Sequence, residues 1–397
     1  MMFTFFPKLD KASQKIVFLT LLLLSFFGIT FFSAFQGYHY IVAYGLIGLL
    51  FFAKDNTFPY KKYIFWYMFF LLLSCVYSQI YNGQFLLKTI GFSSSYLGIL
   101  FTFLLLQQKL SSKQLLDCLL FISLLYSIGY IIQWVVYPFP IFEVANNEGK
   151  NLDYYRIRIP GSLCAYFLYF YGLNRYLQFK KLKYIAYSIL SFIPIVIMGF
   201  RTLTVLSLVF AVILIGFVKR NILKSIGSLF VMGILALGVS QLDIVQDKVL
   251  EMQDRQESDQ TFDNPDYIRW IEYSYFTETF FVKPGEQFFG GGVPAGTTSY
   301  AKALSTAASN ALYWVDLGMI GLTWIIGIPA VVLLIFIYLL CAKRCKSPDI
   351  QFVRFTLLLL VIGSLVTTME LFRYGNILLV SFLLCYEYKY NQEMELK

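Results

Sequence analysis

Apolar runs of about 17 to 25 residues follow one another along most of the 397-residue chain, separated by short polar turns. Runs of this length can cross the hydrocarbon layer of a bilayer as helices, because lipid offers no partner to an unpaired backbone group. We therefore predict an all-α polytopic membrane protein with about 12 transmembrane helices. Residues 1–240 hold about nine spans, residues 241–310 form one large polar loop, and residues 311–397 hold about three more.

The bounds of the predicted spans follow from the apolar runs. The fourth runs from about Phe85 to Leu106, and the tenth from about Ala311 to Leu340. The tenth is longer than one crossing requires, and it contains Pro329, which removes a helical hydrogen bond. We expect it to tilt, to kink, or to begin within the large loop.

Lysine-rich clusters occupy alternate turns between the predicted spans. If the spans simply alternate, all of these clusters fall on one side, which the positive-inside rule identifies as the cytoplasm. Both termini are then predicted to be cytoplasmic, and the large loop is predicted to be extracytoplasmic. The net charge of +9 could indicate nucleic acid, but its residues lie in short clusters between apolar runs. We therefore expect this chain to lie in a lipid bilayer and to bind no nucleic acid.

Composition agrees with the membrane assignment. Hydrophobic residues make up 58% of the chain and charged residues 14%, against about 25% charged residues in a soluble domain. The six cysteines lie within or beside the apolar spans, and the large loop has none. Their spacing fits neither a disulfide framework nor a metal site. We expect no metal and no other cofactor.

Arginines on the predicted outer face are the most informative chemical feature. The positive-inside bias makes them unexpected there, and a guanidinium group can bind phosphate through two parallel hydrogen bonds. The alternative is that each arginine pairs with a carboxylate of the acidic loop or extends to the lipid headgroups. The outward arginines are Arg156, Arg158, Arg201, Arg269 and Arg373.

Candidates for a general base are the carboxylates Asp266, Glu272 and Asp316. Their alternative role is that of solvated charges or arginine partners. The single histidine, His39, lies at an outer helix start, where we interpret it as an interfacial residue.

Aromatic and glycine residues of the loop are also open to two interpretations. Tyr267, Trp270 and Tyr273 could stack on sugar rings or belong to an interfacial aromatic belt. The run Gly290-Gly291-Gly292 lacks the context of a nucleotide-binding loop, and we interpret it as a tight turn that returns the loop to the membrane.

The order of short motifs resembles that of the Wzy-type O-antigen polymerases and the related O-antigen ligases. An outward arginine precedes one span, a second arginine lies at the outer end of a later span, and a long extracytoplasmic loop comes next. In chain order the motifs are Arg158 to Gly161, Phe200-Arg201-Thr202, Arg269-Trp270, Phe288-Phe289-Gly290-Gly291-Gly292, Ser309-Asn310-Ala311-Leu312 and Asp316 to Leu322.

This resemblance implies a GT-C-like glycosyltransferase of the bacterial cytoplasmic membrane. Such enzymes join glycans carried on undecaprenyl diphosphate at the outer face, and the product is O-antigen or capsule. A flippase and a chain-length regulator would be its partners. The resemblance implies that Arg158, Arg201 and Arg269 hold the diphosphate and neutralise its charge as it leaves. Asp266 and Glu272 join them as catalytic candidates, and the substrate-binding candidates are Arg156, Arg373, Tyr267, Trp270, Tyr273, Asn310 and Asp316.

One departure from the family pattern favours a polymerase over a ligase. The ligase pattern has a histidine just before the asparagine at the end of the loop, and here Ser309 occupies that place before Asn310. The other alternative is a polysaccharide flippase or transporter. Transporters of that kind usually have matching halves and short loops, and the sequence shows neither.

Overall fold

A computed structural model describes residues 5–25, 38–136, 139, 144–145, 156–157, 159–198, 201–219, 268–366 and 375–396. For residues 25, 38, 201, 219 and 366 and for both strands, only the backbone is described. The α-helices of these residues are α1 (Lys11–Ser25), α2 (Tyr38–Gly48), α3 (Lys61–Asn82), α4 (Leu86–Phe92), α5 (Phe101–Gln107), α6 (Ser112–Val135), α7 (Leu163–Phe179), α8 (Leu182–Ile197), α9 (Arg201–Lys219), α10 (Ile268–Ser274), α11 (Glu286–Phe289), α12 (Ser299–Ser309), α13 (Gly318–Ile326), α14 (Ile328–Arg344), α15 (Gln351–Val366) and α16 (Asn376–Glu395).

Shorter elements complete the described part of the chain. The 3₁₀ segments are Leu49–Phe52, Tyr96–Leu100, Trp314–Leu317 and Pro348–Ile350, and a π-helix covers Tyr275–Phe280. Strands β1 (Val144–Ala145) and β2 (Arg156–Ile157) pair antiparallel, with Val144 opposite Ile157.

Several helices have the length and composition of membrane spans. Helices α3 and α6 qualify singly, and so does the helix over residues 348–365, which joins a 3₁₀ turn to α15. Two bent pairs could each form one more, giving three to five candidate spans in the part of the chain that the structure describes. The helical fold class with apolar helices of membrane-spanning length is thereby confirmed, while the count of about 12 spans stays a prediction.

The predicted fourth span is not one straight helix. Helix α4 ends at Phe92, and the chain turns by 75° before Tyr96–Gln107. The hydroxyl of Ser93 donates to the carbonyl of Thr89 at 2.8 Å, so it competes with the helical backbone at the bend. Beyond the bend, Ser381 of α16 donates to the carbonyls of Gly98 and Ile99. The break therefore lets the chain pack closely on α16.

The predicted tenth span is likewise two helices, in agreement with the expected kink or start within the loop. Helices α13 and α14 meet at Gly327 with a bend of 119°. Gly327 has φ 86° and ψ 151°, a region that only glycine adopts readily. Pro329 lies in the first turn of α14, where backbone N–H groups have no acceptor within the helix, so its missing N–H costs no helical hydrogen bond. Pro329 thus begins a helix and does not interrupt one.

Helices α7 and α16 form the centre of the bundle. Every residue from Leu163 to Gly172 is buried, as is every residue from Asn376 to Tyr388. The two helices begin side by side, because the Asn376 side chain accepts from the N–H of Leu163 at 2.9 Å and donates to the Ser162 hydroxyl at 2.9 Å. These bonds satisfy polar groups that would otherwise be buried without partners.

Several of the lysine-rich turns lie at one end of the described part of the bundle. Hydrogen bonds join the residues beside these turns across the chain. They connect Gln114 to Asp10 at 2.7 Å, Ser112 to Glu393 at 2.9 Å, Asn174 to Pro348 at 3.2 Å and Arg344 to Glu387 at 2.8 Å. We call this the basic end. Which face of the membrane it meets stays a prediction.

At the basic end, Glu387 is a fully buried carboxylate with three donors. Arg344 Nε lies 2.8 Å from Glu387 Oε1, and the Tyr60 hydroxyl and the Asn391 amide also donate to this carboxylate. We expect Arg344→Met to lower the free energy of unfolding by about 2 kcal/mol, because it leaves a buried charge without its cation. Thermal unfolding of the detergent-purified protein measures this loss.

Two control variants make this test specific. Lys343→Met removes an exposed charge from the neighbouring position and should leave the unfolding temperature unchanged. Adding Glu387→Gln to Arg344→Met should restore most of the loss, since the buried charge is then gone. Equal unfolding temperatures for Arg344→Met and Lys343→Met would contradict the buried ion pair as a source of stability.

Candidate functional site

The described part of the large loop, together with the start of the predicted tenth span, folds against the bundle. We call residues 268–326 the cap. The Tyr77 hydroxyl of α3 donates to the carbonyl of Pro284 at 3.0 Å, and the Asn82 amide donates to the carbonyl of Gly291 at 2.9 Å. Asn82 ends α3, and Tyr60, just before the other end of this helix, bonds Glu387 at the basic end. The cap therefore lies at the end of α3 opposite the basic end.

An aromatic core holds the cap together. Phe276, Phe281 and Trp324 are buried, and the rings of Phe281 and Trp324 stack with centroids 5.4 Å apart. Phe276 lies 5.7 Å from Trp324, and Tyr273 lies 6.3 Å from the same ring. Because Trp324 belongs to α13, these contacts fix α10 and the π-helix over the break at Gly327.

The glycine run lies along that break. The N–H groups of Gly291 and Gly292 donate to the carbonyls of Trp324 and Ile325 at 2.6 and 2.9 Å. These carbonyls belong to the last turn of α13, where no helical donor remains. A Cβ built on Gly290 would lie 2.4 Å from the backbone nitrogen of Gly327. The run thus forms an extended backbone contact that caps the end of α13, a role beyond the tight turn that the sequence predicts.

Glu272 is the buried carboxylate of the cap, with 1% of its surface exposed. Its Oε1 atom accepts from the N–H of Tyr313 at 2.9 Å, and its Oε2 atom has no hydrogen-bond partner among the described residues. Burial raises the pKa of Glu272 to about 7. The Tyr313 N–H lowers this pKa, the charge of Asp316 raises it, and the charge of Arg269 lowers it.

Three of the predicted site residues therefore come together. Arg269 and Asp316 are near enough to Glu272 to act on its charge, and Arg269 is half-buried one turn before it on α10. A carboxyl group with a pKa near 7 can take up or release a proton at neutral pH. A neighbouring guanidinium group can stabilise a developing negative charge. The arrangement is chemically suited to transferring a group away from an anionic leaving group.

The other predicted site residues in the cap have plainer surroundings. Trp270 is 51% exposed and Tyr273 is 39% exposed, so both offer ring surface to a ligand or to lipid. Asn310 ends α12, and its N–H donates to the carbonyls of Thr306 and Ala307. Ala311 follows with φ 59°, which reverses the chain. Asn310 thus has a local role in ending a helix.

The structure does not describe the side chains of six predicted site residues. Arg158, Asp266, Tyr267 and Arg373 lie outside the described residues. Arg156 is in β2 and Arg201 is the first residue of α9, both with the backbone alone described. Whether these arginines approach Arg269 therefore stays a prediction.

A second buried polar cluster escaped the sequence analysis. Glu286 is 1% exposed and accepts from the Asn82 amide at 3.3 Å and from the N–H of Lys283 at 3.2 Å. Burial raises the pKa of Glu286. The Lys283 ammonium donates to the Asn82 side chain and to the carbonyl of Tyr81. The polar interruption Asn82-Gly83-Gln84 between two apolar runs was the available indication.

An open cleft of about 710 Å³ lies beside this cluster, at the start of α14. Polar and apolar side chains share its walls. It is lined by Thr277, Glu278, Phe281, Val282, Lys283, Gly285, Gln287, Phe288 and Ile328.

The fold and the cap define a helical protein with apolar helices of membrane-spanning length and a buried, charge-coupled carboxylate outside those helices. Comparison of the chain with protein-family models, with curated proteins and with solved structures gives no match.

Glu272 is expected to make stability depend on pH. The folded protein holds its pKa at about 7, above its ordinary value of 4.5, so the unfolded chain releases this proton first as pH rises. Stability from this group is therefore complete below about pH 4.5 and is lost between about pH 4.5 and 7. We expect Glu272→Gln to exceed the wild type in unfolding free energy by on the order of 2 kcal/mol at pH 8 and to match it near pH 4.5.

Unfolding in detergent at a series of pH values measures this difference. Glu278→Gln, which removes an exposed carboxylate from the same cap, is the matched control. A constant difference between Glu272→Gln and wild type across the series would contradict a buried carboxyl group that titrates near neutrality.

Proposed function

We propose that this protein is a glycosyltransferase that polymerises undecaprenyl-diphosphate-linked repeat units. It acts at the outer face of the bacterial cytoplasmic membrane and makes a surface polysaccharide such as O-antigen or capsule. The observation that carries the proposal is the grouping of Arg269, Glu272 and Asp316 in a cap that is folded onto a bundle of apolar helices. The motif resemblance supports the same reaction.

In the proposed reaction, a hydroxyl oxygen of the acceptor sugar attacks the anomeric carbon of the donor sugar. The new glycosidic bond forms as the bond between that carbon and the diphosphate oxygen breaks, and the electron pair leaves with the diphosphate. Glu272 accepts the hydroxyl proton through Oε2, the oxygen without a described partner. Arg269, with Arg158 and Arg201, neutralises the charge of the leaving diphosphate.

Roles for the remaining predicted residues follow from this reaction. Trp270 and Tyr273 offer exposed rings on which sugar faces can stack. Burial, with a further contribution from the charge of Asp316, raises the pKa of Glu272, which lets that carboxyl group retain the transferred proton near neutral pH. Arg156 and Arg373 are further proposed contacts of the glycan or its phosphate.

Deletion of the gene, followed by analysis of surface glycan length and of the lipid-linked pool, tests the function. We expect single repeat units on the lipid carrier or on the final acceptor, and long polymer again when the gene is restored. Long polymer that accumulates on the carrier would instead identify a ligase. Repeat units held on the cytoplasmic leaflet would identify a flippase, and either of these results would overturn the proposal.

A further inference from the structure

Lys88 lies beneath the cap in an unusual position for a lysine. It belongs to α4, a short helix that begins four residues after Asn82 and so lies at the end of the bundle that carries the cap. Its side chain is half-buried, and a Cβ built on Gly296 of the cap would lie 3.3 Å from Lys88 Nζ. The ammonium group therefore lies against the turn at residues 295–298, in which Gly296 and Thr297 are exposed.

Gln84 fixes the distance between Lys88 and this turn. Its fully buried side chain accepts from the N–H of Ala295 at 2.8 Å and from the hydroxyl of Thr298 at 2.9 Å, and it donates to the carbonyl of Val293 at 3.1 Å. Gln84 precedes Lys88 by four residues, so the same short segment of chain positions both side chains. Gln84 thus joins the turn to the segment that carries Lys88, and we treat the turn and this lysine as one unit.

Several hydrogen-bond donors in this unit have no acceptor among the residues that the structure describes. Lys88 makes no hydrogen bond or ion pair with any residue that the structure describes, and the N–H groups of Gly296 and Thr297 donate to none of them either. A lysine ammonium carries three donors, and the N–H groups of the exposed residues Gly296 and Thr297 add two more. The arrangement supplies the donors of an anion site.

The surroundings indicate what kind of anion fits. Phe92, one turn after Lys88, packs under Gly296, and His39 stacks on the Phe92 ring with centroids 4.9 Å apart. Phe85 and Leu87 on the same segment are 62% and 50% exposed, as expected for side chains that face lipid. An anion in this place would lie at a membrane boundary, with apolar surface on one side and the cap on the other.

We infer that Lys88 and the backbone N–H groups of Gly296 and Thr297 form a binding site for a phosphate group. A tetrahedral oxyanion offers several acceptor oxygens and can bond the ammonium and two N–H groups together. Inorganic phosphate and a lipid phosphate headgroup share this chemistry. The identification of the anion as the carrier diphosphate rests on the proposed function, whereas the phosphate site itself does not.

Binding of inorganic pyrophosphate to the detergent-purified full chain tests the site. We expect pyrophosphate to raise the unfolding temperature of the wild type, and Lys88→Met to weaken the apparent affinity at least about tenfold. Lys88→Arg should retain much of the binding, because it keeps a charge and donors. The matched control is Lys302→Met, which removes an exposed lysine of α12 in the same cap and should bind as the wild type does.

Folding of each variant is checked before binding is compared, and a second measurement then separates inorganic phosphate from a lipid headgroup as the ligand. Each variant must first elute as a single species, and Lys88→Arg provides a test if Lys88→Met does not fold. Reconstitution in phosphatidylglycerol and in phosphatidylcholine then shows whether an anionic lipid competes with pyrophosphate at Lys88, as expected of a site that admits headgroups. Equal pyrophosphate affinity in wild type and the Lys88 variants, or no pyrophosphate binding to either, would overturn the site. If pyrophosphate binding depended on Lys88 but deletion of the gene left polymer length normal, the phosphate site would stand and only the proposed polymerase function would be overturned.

Discussion

Gly327→Ala is expected to keep most of the protein from reaching its folded state. Gly327 has φ 86° and ψ 151°, a conformation that an alanine adopts only with strain. A Cβ there would also lie 2.6 Å from the carbonyl oxygens of Phe288 and Phe289. Strain and overlap together should cost about 3 to 5 kcal/mol, a large share of the stability of an ordinary domain. The yield of protein that elutes as a single species, and its unfolding temperature, measure the loss.

Glycine substitutions elsewhere give the comparison. Gly290→Ala should be as damaging, because its Cβ would lie 2.4 Å from the Gly327 nitrogen across the same contact. Gly45→Ala is the control, since a Cβ at Gly45 in α2 meets no atom within 4 Å and alanine favours a helix. If Gly327→Ala and Gly45→Ala gave equal yields and unfolding temperatures, the packing of the glycine run on the helix break would be wrong.

The general arrangement of the chain could be predicted because it follows from one-dimensional rules. Apolar length predicts helices, and the positions of lysines predict which ends of the helices lie together. The bonds from Arg344 to Glu387 and from Gln114 to Asp10 agree with that grouping. Neither rule depends on which helix contacts which, so both apply to the sequence alone.

The helix breaks could not be predicted from the same rules. Apolar length is the same for a straight helix and a bent pair. A kink near Pro329, or a start within the loop, could therefore be predicted for the run from Ala311 to Leu340, but a bend of 119° at Gly327 could not. The break at Gly327 is possible because Gly291 and Gly292, far away in sequence, satisfy the carbonyls of Trp324 and Ile325. A bend that depends on such distant partners leaves little trace in local sequence.

The candidate site, too, could be predicted only in part from the sequence. Arg269 and Glu272 could be singled out by residue type and by their place in a polar loop, but the burial that raises the pKa of Glu272 arises only when the cap is folded. Lys88 escaped notice because it lies within a predicted span, and its neighbour Gly296 is distant in sequence. Residue type suggests which groups are reactive, whereas burial and missing partners emerge only from the packed structure.

Arg269→Ala is expected to reduce polymer at least about 100-fold while the protein still folds and inserts. Arg269 is the half-buried cation beside Glu272, and its removal deprives the leaving diphosphate of a positioned charge. Arg201→Ala should act in the same way. Arg269→Lys should restore polymer only in part, because lysine keeps the charge and loses the two-pronged hydrogen bonding. Glycan length in a deletion strain that expresses each variant measures these effects.

A control and a pH series separate this catalytic role from a structural one. Lys302→Ala removes an exposed cation of the cap and should leave polymer length unchanged. The charge of Arg269 lowers the pKa of Glu272, so the pKa should rise in Arg269→Ala. Residual polymerisation by purified Arg269→Ala should then require a higher pH than the wild type does, a shift that loss of folded protein alone would not produce. Normal polymer length in both alanine variants would remove the arginines from the mechanism and leave Glu272 without its proposed electrostatic partner.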